Sequence, residues 1–194
     1  MYTFSNNWFE SNIPVWSTVL AHLVGKPCNA LEIGAFEGAA TVWLLENVLT
    51  HPSSRIVSID PCTGNIEHDM DQTKDLCKSY ATNVLCNFQK KARLVKTFSN
   101  VALMYPDIQT TLFDIIYIDG DHHAHAVLED AVLAFRLLKL GGIMIFDDFA
   151  WPVYTDQPYM HPSTAVKAFV ACYGMYVTVI HEDYQVILKK TSDI

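Results

Sequence analysis

The sequence predicts one α/β domain of doubly wound type, a seven-stranded, mostly parallel sheet ending in an antiparallel hairpin. Three observations predict it. Short apolar runs recur along the chain with helix-compatible segments between them, the alternation that builds a parallel sheet with crossover helices. The first run passes directly into a turn bounded by Gly34 and Gly38, as strands that deliver a ligand to a helix start do. The last two runs are separated only by Glu182-Asp183, a connection short enough to require antiparallel pairing.

The elements follow in order. Strands are expected at Cys28–Ile33, Arg55–Ile59, Ala92–Lys96, Phe113–Ile118 and Gly142–Phe146, and a helix begins near Ala39. The clearest helical pattern runs from His122 to Lys139. It places Val127, Ala131, Ala134, Phe135 and Leu138 on one face, Lys139 in the last turn and Gly141-Gly142 as the stop. After Pro162 a short helix (Thr164–Cys172) leads to strands at Met175–His181 and Tyr184–Lys189. With 194 residues, 51% of them hydrophobic, and no repeat, low-complexity tract or linker, residues 1–194 read as a single domain.

Composition narrows the partners. Thirteen basic residues against 21 acidic ones give a net charge of -8, which repels nucleic acid and favours small-molecule or protein partners. The five cysteines are odd in number and nowhere form C-x-x-C. Neither a disulfide framework nor a zinc site is therefore expected, and a reducing compartment is the simpler reading. The start, MYTFSNNWFE, lacks a secretory pattern and no apolar run is long enough for a membrane span. A cytoplasmic location without membrane contact is the expectation.

Parallel sheets bind ligands beyond the carboxyl ends of their strands. The first two strands carry Glu32 and Asp60 there, with Gly34, Ala35, Phe36 and Gly38 in the turn between strand and helix. Asp60 lies 22 residues past Gly38 (60 minus 38), where a carboxylate can accept both hydroxyls of a ribose. Its plainer role would be to cap the next segment. The glycine spacing differs from the G-x-G-x-x-G that seats a pyrophosphate, which argues against a nicotinamide oxidoreductase and for a phosphate-free cofactor.

Through LEIGAFEG, RIVSID, FDIIYIDGDH and LLKLGGIMIFDD the chain resembles the class I S-adenosylmethionine-dependent methyltransferases over nearly its whole length. That resemblance implies a Rossmann-like fold and S-adenosylmethionine as cofactor. It places Glu32, Gly34, Ala35, Phe36 and Gly38 near the methionine part, Asp60 on the ribose, and Phe98 and Ser99 near the adenine, with Asp119 also on the cofactor side.

Asp119 ends the fourth strand and Asp147-Asp148 end the fifth. Three carboxylates at neighbouring strand ends would repel one another unless a cation sat among them, and hard oxygen ligands suit Mg²⁺, Mn²⁺ or Ca²⁺. The pattern is similar to the metal-dependent O-methyltransferases of catechol and caffeoyl type, and more so to small methyltransferases with an IDG-x-H…DD signature. The 28 residues from Asp119 to Asp147 (147 minus 119) match that group's ligand spacing. This likeness implies metal ligation by Asp119, Asp147 and Asp148 and catalysis by Asp119 and His122. His122 stands where the catechol type carries a catalytic lysine, and a histidine there suits base catalysis; Asp148 stands where that type carries an asparagine. The plainer alternative makes the three aspartates loop caps and His122, His123 and His125 polar residues of a helix start, with His123 and His125 on the surface in either case.

The irregular segments Pro61–Asp71 and Phe149–Pro162 are placed to cover the site, the second with Trp151, Tyr154, Tyr159 and Met160. Phe4, Trp8, Phe9 and Trp16 are expected to pack on the sheet rather than to wall the site. The function that follows is methyl transfer to a small-molecule acceptor, with a hydroxyl oxygen activated by the metal and a histidine base. Catechols, phenols, sugar hydroxyls and peptide side chains all remain open as acceptors. A metal-dependent hydrolase and a catalytically silent cofactor-binding subunit are the alternatives. The exposed aromatics and the hairpin edge are compatible with a homodimer.

Overall fold

Alternation along the strands builds two cores at once. The computed structural model describes residues 2–64 and 75–194. Its strands are β1 (Asn29–Ile33), β2 (Arg55–Ile59), β3 (Ala92–Val95), β4 (Phe113–Ile118), β5 (Leu138–Phe146), β6 (Val177–Glu182) and β7 (Val186–Lys190). They form one sheet in the order β3-β2-β1-β4-β5-β7-β6, with β1 to β5 parallel and β7 antiparallel to both its neighbours. On one face Leu31, Ile33, Ile116, Ile118 and Met144 meet Val127, Phe135 and Phe169. On the other, Ala30, Ile115, Tyr117, Ile143 and Ile145 meet Trp16, Leu44 and Tyr80. A strand covered on both sides reads as a continuous apolar run, which is why FDIIYI shows no polar alternation.

The helices among the described residues are α1 (Ile13–Val19), α2 (Ala39–Asn47), α3 (Leu76–Tyr80, prolonged through Ala81–Leu85 and Cys86–Phe88), α4 (Ser99–Ala102), α5 (Pro106–Gln109), α6 (Ala124–Phe135) and α7 (Pro162–Tyr173). None of them is long and apolar enough to cross a membrane. Trp16 of α1 is fully buried with its ring edge-on to Tyr117 at 4.8 Å, and Phe4 and Phe9 pack against the same core; Trp8 departs from the expectation, half exposed with its ring 5.7 Å from that of Phe36 in the glycine turn.

Three expectations are corrected. The helix expected to reach Lys139 ends at Phe135, and β5 starts at Leu138 rather than Gly142. The Leu137 carbonyl accepts the Phe113 N–H at 2.8 Å, Leu138 pairs with Phe113, and Lys139 reaches Asp114 at 2.8 Å, so long-range pairing captures residues whose local pattern is helical. Gly141-Gly142 lie within a bulge instead of stopping a helix: β4 advances two residues (113 to 115) while β5 advances five (138 to 143). In the terminal hairpin the turn lies at Asp183–Gln185, where Asp183 N–H bonds Gln185 O, and the strands begin at Val177 and Val186.

The cysteine expectation also fails. Cys62 and Cys77 form a disulfide across a separation of 15 residues, while Cys28, Cys86 and Cys172 are free. An odd count without C-x-x-C hides a pair that becomes adjacent only when the chain after β2 returns into α3. Of the expected covering segment Pro61–Asp71, residues 65–71 lie outside the described residues.

Candidate active site

Backbone bonds step four residues along one edge of the sheet. Gly34 N–H bonds Ile59 O, Asp60 N–H bonds Val95 O, Asp119 N–H bonds Ile33 O and Asp147 N–H bonds Ile118 O. The strand order reverses between β1 and β4, and there the chain runs tightest. Gly34 has φ +84°, and a Cβ on it would stand 1.9 Å from the Asp119 carbonyl oxygen. Only glycine permits both the left-handed turn and the approach. Gly38 caps α2 and abuts Val84 and Tyr80, so its place in the turn is set by packing.

Asp60 takes the plainer of the two roles read from the sequence. Its Oδ2 accepts the N–H groups of Ala35 and Phe36, each at 2.9 Å, and its Oδ1 accepts that of Cys62 at 2.6 Å. The carboxylate thereby fastens the glycine turn, and Oδ1 keeps one lone-pair direction for a further donor. Glu32 is buried beneath the same turn. Its Oε2 accepts the hydroxyls of Thr41 at 2.6 Å and Ser58 at 2.5 Å, with Tyr80 donating on to Ser58. Its Oε1 has no partner among the described residues. Burial pushes the Glu32 carboxyl up from 4.5 to about 7, against the two hydroxyl bonds, with Asp60 adding to the rise. Ser99 begins α4, and burial pushes the Asp130 carboxyl of α6 up to about 7 in spite of an opposing contribution from Ser99. Phe98 before it is exposed.

The acidic cluster forms where β4 and β5 end. Alternation puts Tyr117 and Asp119 on one face of β4. The buried Tyr117 hydroxyl lies 2.7 Å from Asp119 Oδ2 and also contacts Asp147 Oδ2. One phenolic proton cannot serve two carboxylates, so without a cation this trio must retain an extra proton. The carboxyl groups follow that logic: burial, then the Asp147 and Asp148 charges, raise Asp119 well above the usual range, and burial with the Asp148 charge raises Asp147 to about 6.

Asp119, His122 and Asp148 each offer one ligand atom, all within 4.8 Å of one another. Asp148 has φ +57°, His122 Nε2 lies 3.0 Å from its Oδ2, and the Tyr184 hydroxyl donates to its Oδ1 at 2.6 Å. The His122 ring meets Trp151 edge-on at 4.7 Å. Of the three aspartates read as ligands, Asp147 stands outside this close set: Oδ1 accepts the Asp148 N–H at 2.8 Å and Oδ2 faces Tyr117. His123 turns away to Asp121, its ring tilted 5.7 Å from that of His125.

Tyr117, Tyr184 and Gln185 were not singled out from the sequence. Tyr117 could have been, since it precedes Asp119 by two on a strand. Tyr184 and Gln185 carry no local signal, because they reach the cluster from the terminal hairpin. Gln185 is buried, its amide oxygen accepts the Trp16 indole N–H at 2.7 Å, and its amide favours the charged form of Asp147. Beyond Asp148 the segment to Pro162 borders a cleft of about 370 Å³, lined among others by Phe149, Trp151, His161 and Lys167. His161 ties two parts of that lining together, its Nε2 2.7 Å from Trp151 O and its Nδ1 accepting the Ser163 N–H.

Residues 31–149 match the family model described as a methyltransferase domain. Over 144 residues the chain is 28% identical to the uncharacterized protein R132 of Acanthamoeba polyphaga mimivirus, an alignment covering 73% of this chain and 58% of that protein. Among solved structures it is similar to the O-methyltransferase from Bacillus cereus in complex with SAH (S-adenosylhomocysteine), with a TM-score of 0.68 at 16% identity over 98% of this chain and 84% of that one. It is also similar to the MycE methyltransferase of the mycinamycin biosynthetic pathway in complex with Mg and SAH, with a TM-score of 0.65 at 15% identity over 97% of this chain and 51% of that one.

Proposed function

The chain belongs to the methyltransferase-domain family, and from that premise we propose that it transfers the methyl group of S-adenosylmethionine to a hydroxyl oxygen of a small-molecule acceptor, assisted by a divalent cation. The observation that carries the cation is the uncompensated acidity of the cluster. Among the described residues no lysine or arginine pairs with Asp119, Asp147 or Asp148, although burial and mutual repulsion disfavour their charges. Asp119 and Asp148 each bring a carboxylate oxygen into a set of atoms within 4.8 Å of one another, and such hard oxygen donors suit Mg²⁺ or Mn²⁺. A bound cation would lower the pKa of the acceptor hydroxyl and neutralise the aspartates.

The cofactor site fits on its own grounds. The unpartnered, buried Glu32 Oε1 suits the ammonium of a methionine moiety, and the free direction on Asp60 Oδ1 suits a ribose hydroxyl. S-adenosylmethionine supplies an electrophilic methyl group on a sulfonium. The chain's own residues do the rest. Asp119 and Asp148 would supply the oxygen ligands of a bound cation. Tyr117 and Tyr184 hold those carboxylates by hydrogen bonds. His122 is the base: Asp148 Oδ2, 3.0 Å from Nε2, holds the ring at the cluster, and the imidazole takes the acceptor's proton. Trp151 against the ring excludes water from it.

Mn²⁺ titration followed by electron paramagnetic resonance, with SAH present, tests this reading. The wild type should bind one ion, and Asp148→Asn should weaken it by about tenfold or more while SAH affinity stays within roughly twofold. Equal Mn²⁺ affinity in both proteins would remove the cation from the mechanism.

A further inference from the structure

We propose that the methyl acceptor carries an anionic group, a carboxylate or a phosphate, and that Lys167 receives it in the cleft bordered by Phe149–Pro162. This deepens the methyl-transfer reading and rests on it.

Position is the first support. The cleft follows Asp147-Asp148 directly in the chain, and its wall residue Trp151 is the one whose ring meets His122 at 4.7 Å. Tyr184, which holds Asp148 through its hydroxyl, also accepts the Ala150 N–H through its carbonyl at 3.3 Å. The cleft and the acidic cluster thus share two supports. A volume of about 370 Å³ lies in the range of small-molecule sites.

Charge is the second. The chain carries 21 acidic residues against 13 basic, and no lysine or arginine pairs with the aspartates of the neighbouring cluster among the described residues. Yet the one charged side chain lining the cleft is a cation, Lys167. Among the described residues no carboxylate pairs with it, and its Nζ sits 5.5 Å from the centre of the Phe149 ring, which steadies an ammonium without neutralising it. A neutral acceptor would gain nothing from that arrangement. An anion would find in the cleft one attractive charge and no opposing one among the lining residues, so its anionic end is directed to Lys167 and its hydroxyl is left toward His122, across Trp151.

Donors on α7 complete the set. Ser163, Thr164 and Lys167 line the cleft together, as a helix allows at separations of four and three residues. The Ser163 and Thr164 backbone N–H groups are already taken by His161 Nδ1 and His161 O, each at 3.1 Å. Recognition therefore falls to side chains: two hydroxyls, one ammonium and the aromatic walls of Phe149 and Trp151.

The indole N–H signals of the four tryptophans give a readout that needs no knowledge of the acceptor. The full chain, loaded with SAH and Mg²⁺, is titrated with benzoate, with inorganic phosphate and with neutral benzyl alcohol, and the Trp151 signal is followed after assignment with Trp151→Phe. Benzoate or phosphate should shift it and benzyl alcohol should not. The shift should persist in Lys167→Arg and vanish in Lys167→Glu, with SAH affinity unchanged in both. Response to benzoate alone assigns a carboxylate to the acceptor, and response to phosphate alone a phosphate. SAH binding without response to either anion, or a response that survives Lys167→Glu, overturns the proposal and leaves Lys167 a solvated surface group. Failure to bind SAH at all would instead strike the methyl-transfer reading.

Discussion

Replacing Glu32 with glutamine should stabilise the protein and cripple its cofactor site together. The glutamine carbonyl oxygen can accept from Thr41 and Ser58 as Oε2 does, while its NH₂ stands where Oε1 has no partner. In the wild type the carboxyl titrates near 4.5 when unfolded and near about 7 when folded. Between those values the folded state holds more protons, so wild-type stability falls as pH rises through the window. Above pH 7 the accumulated cost is about 2.5 pK units, or roughly 3 kcal/mol at 1.36 kcal/mol per unit. Glutamine does not bear it. For a chain of this length that corresponds to a rise in Tm of roughly 6–12 °C at pH 8, shrinking toward zero near pH 4.5. Losing a charged hydrogen bond to the methionine ammonium should weaken S-adenosylmethionine binding about 10- to 100-fold, and wild-type affinity should itself increase with pH through about 7. Thermal unfolding of both proteins from pH 4.5 to 8, with calorimetric titration of S-adenosylmethionine at each pH, measures both effects. A variant no more stable than wild type at pH 8, with cofactor affinity within twofold, would refute the reasoning.

Other perturbations separate the remaining parts of the site. Gly34→Ala forces a Cβ to 1.9 Å from the Asp119 carbonyl at a left-handed φ; urea unfolding should show a loss on the order of 4 kcal/mol, and SAH binding should disappear. Tyr117→Phe removes the hydroxyl between Asp119 and Asp147. It should cost about 1–3 kcal/mol in chelator, and Mg²⁺ should recover part of the loss in thermal unfolding. Reducing the Cys62–Cys77 disulfide, which closes a separation of 15 residues, should lower stability by about 3 kcal/mol, read as a drop in Tm with dithiothreitol that Cys62→Ser/Cys77→Ser abolishes.

The strands that position the site were legible because they are buried on both faces, so RIVSI and FDIIYI stand out as apolar runs, and carboxylates at their ends mark the ligand edge. The end of α6 was not legible. Residues 136–139 carry a helical pattern, but pairing with Phe113 and the Asp114–Lys139 bond draw them into β5, a contact more than twenty residues away in sequence. The site divides along the same line. Glu32, Gly34, Asp60, Asp119, His122 and Asp148 lie at or just past strand ends and could be named; Asp147 could be named, but not that its Oδ1 would accept the Asp148 N–H and its Oδ2 face Tyr117. Gln185 and its Trp16 partner lie 169 residues apart, and no local pattern announces them.

Isothermal titration of the full chain with SAH, in Mg²⁺ and in chelator, tests the central claim most directly. Micromolar, one-to-one binding is expected in both conditions, since Glu32, Asp60 and the Gly34–Gly38 turn would hold the cofactor without the cation. No binding in either condition would contradict it.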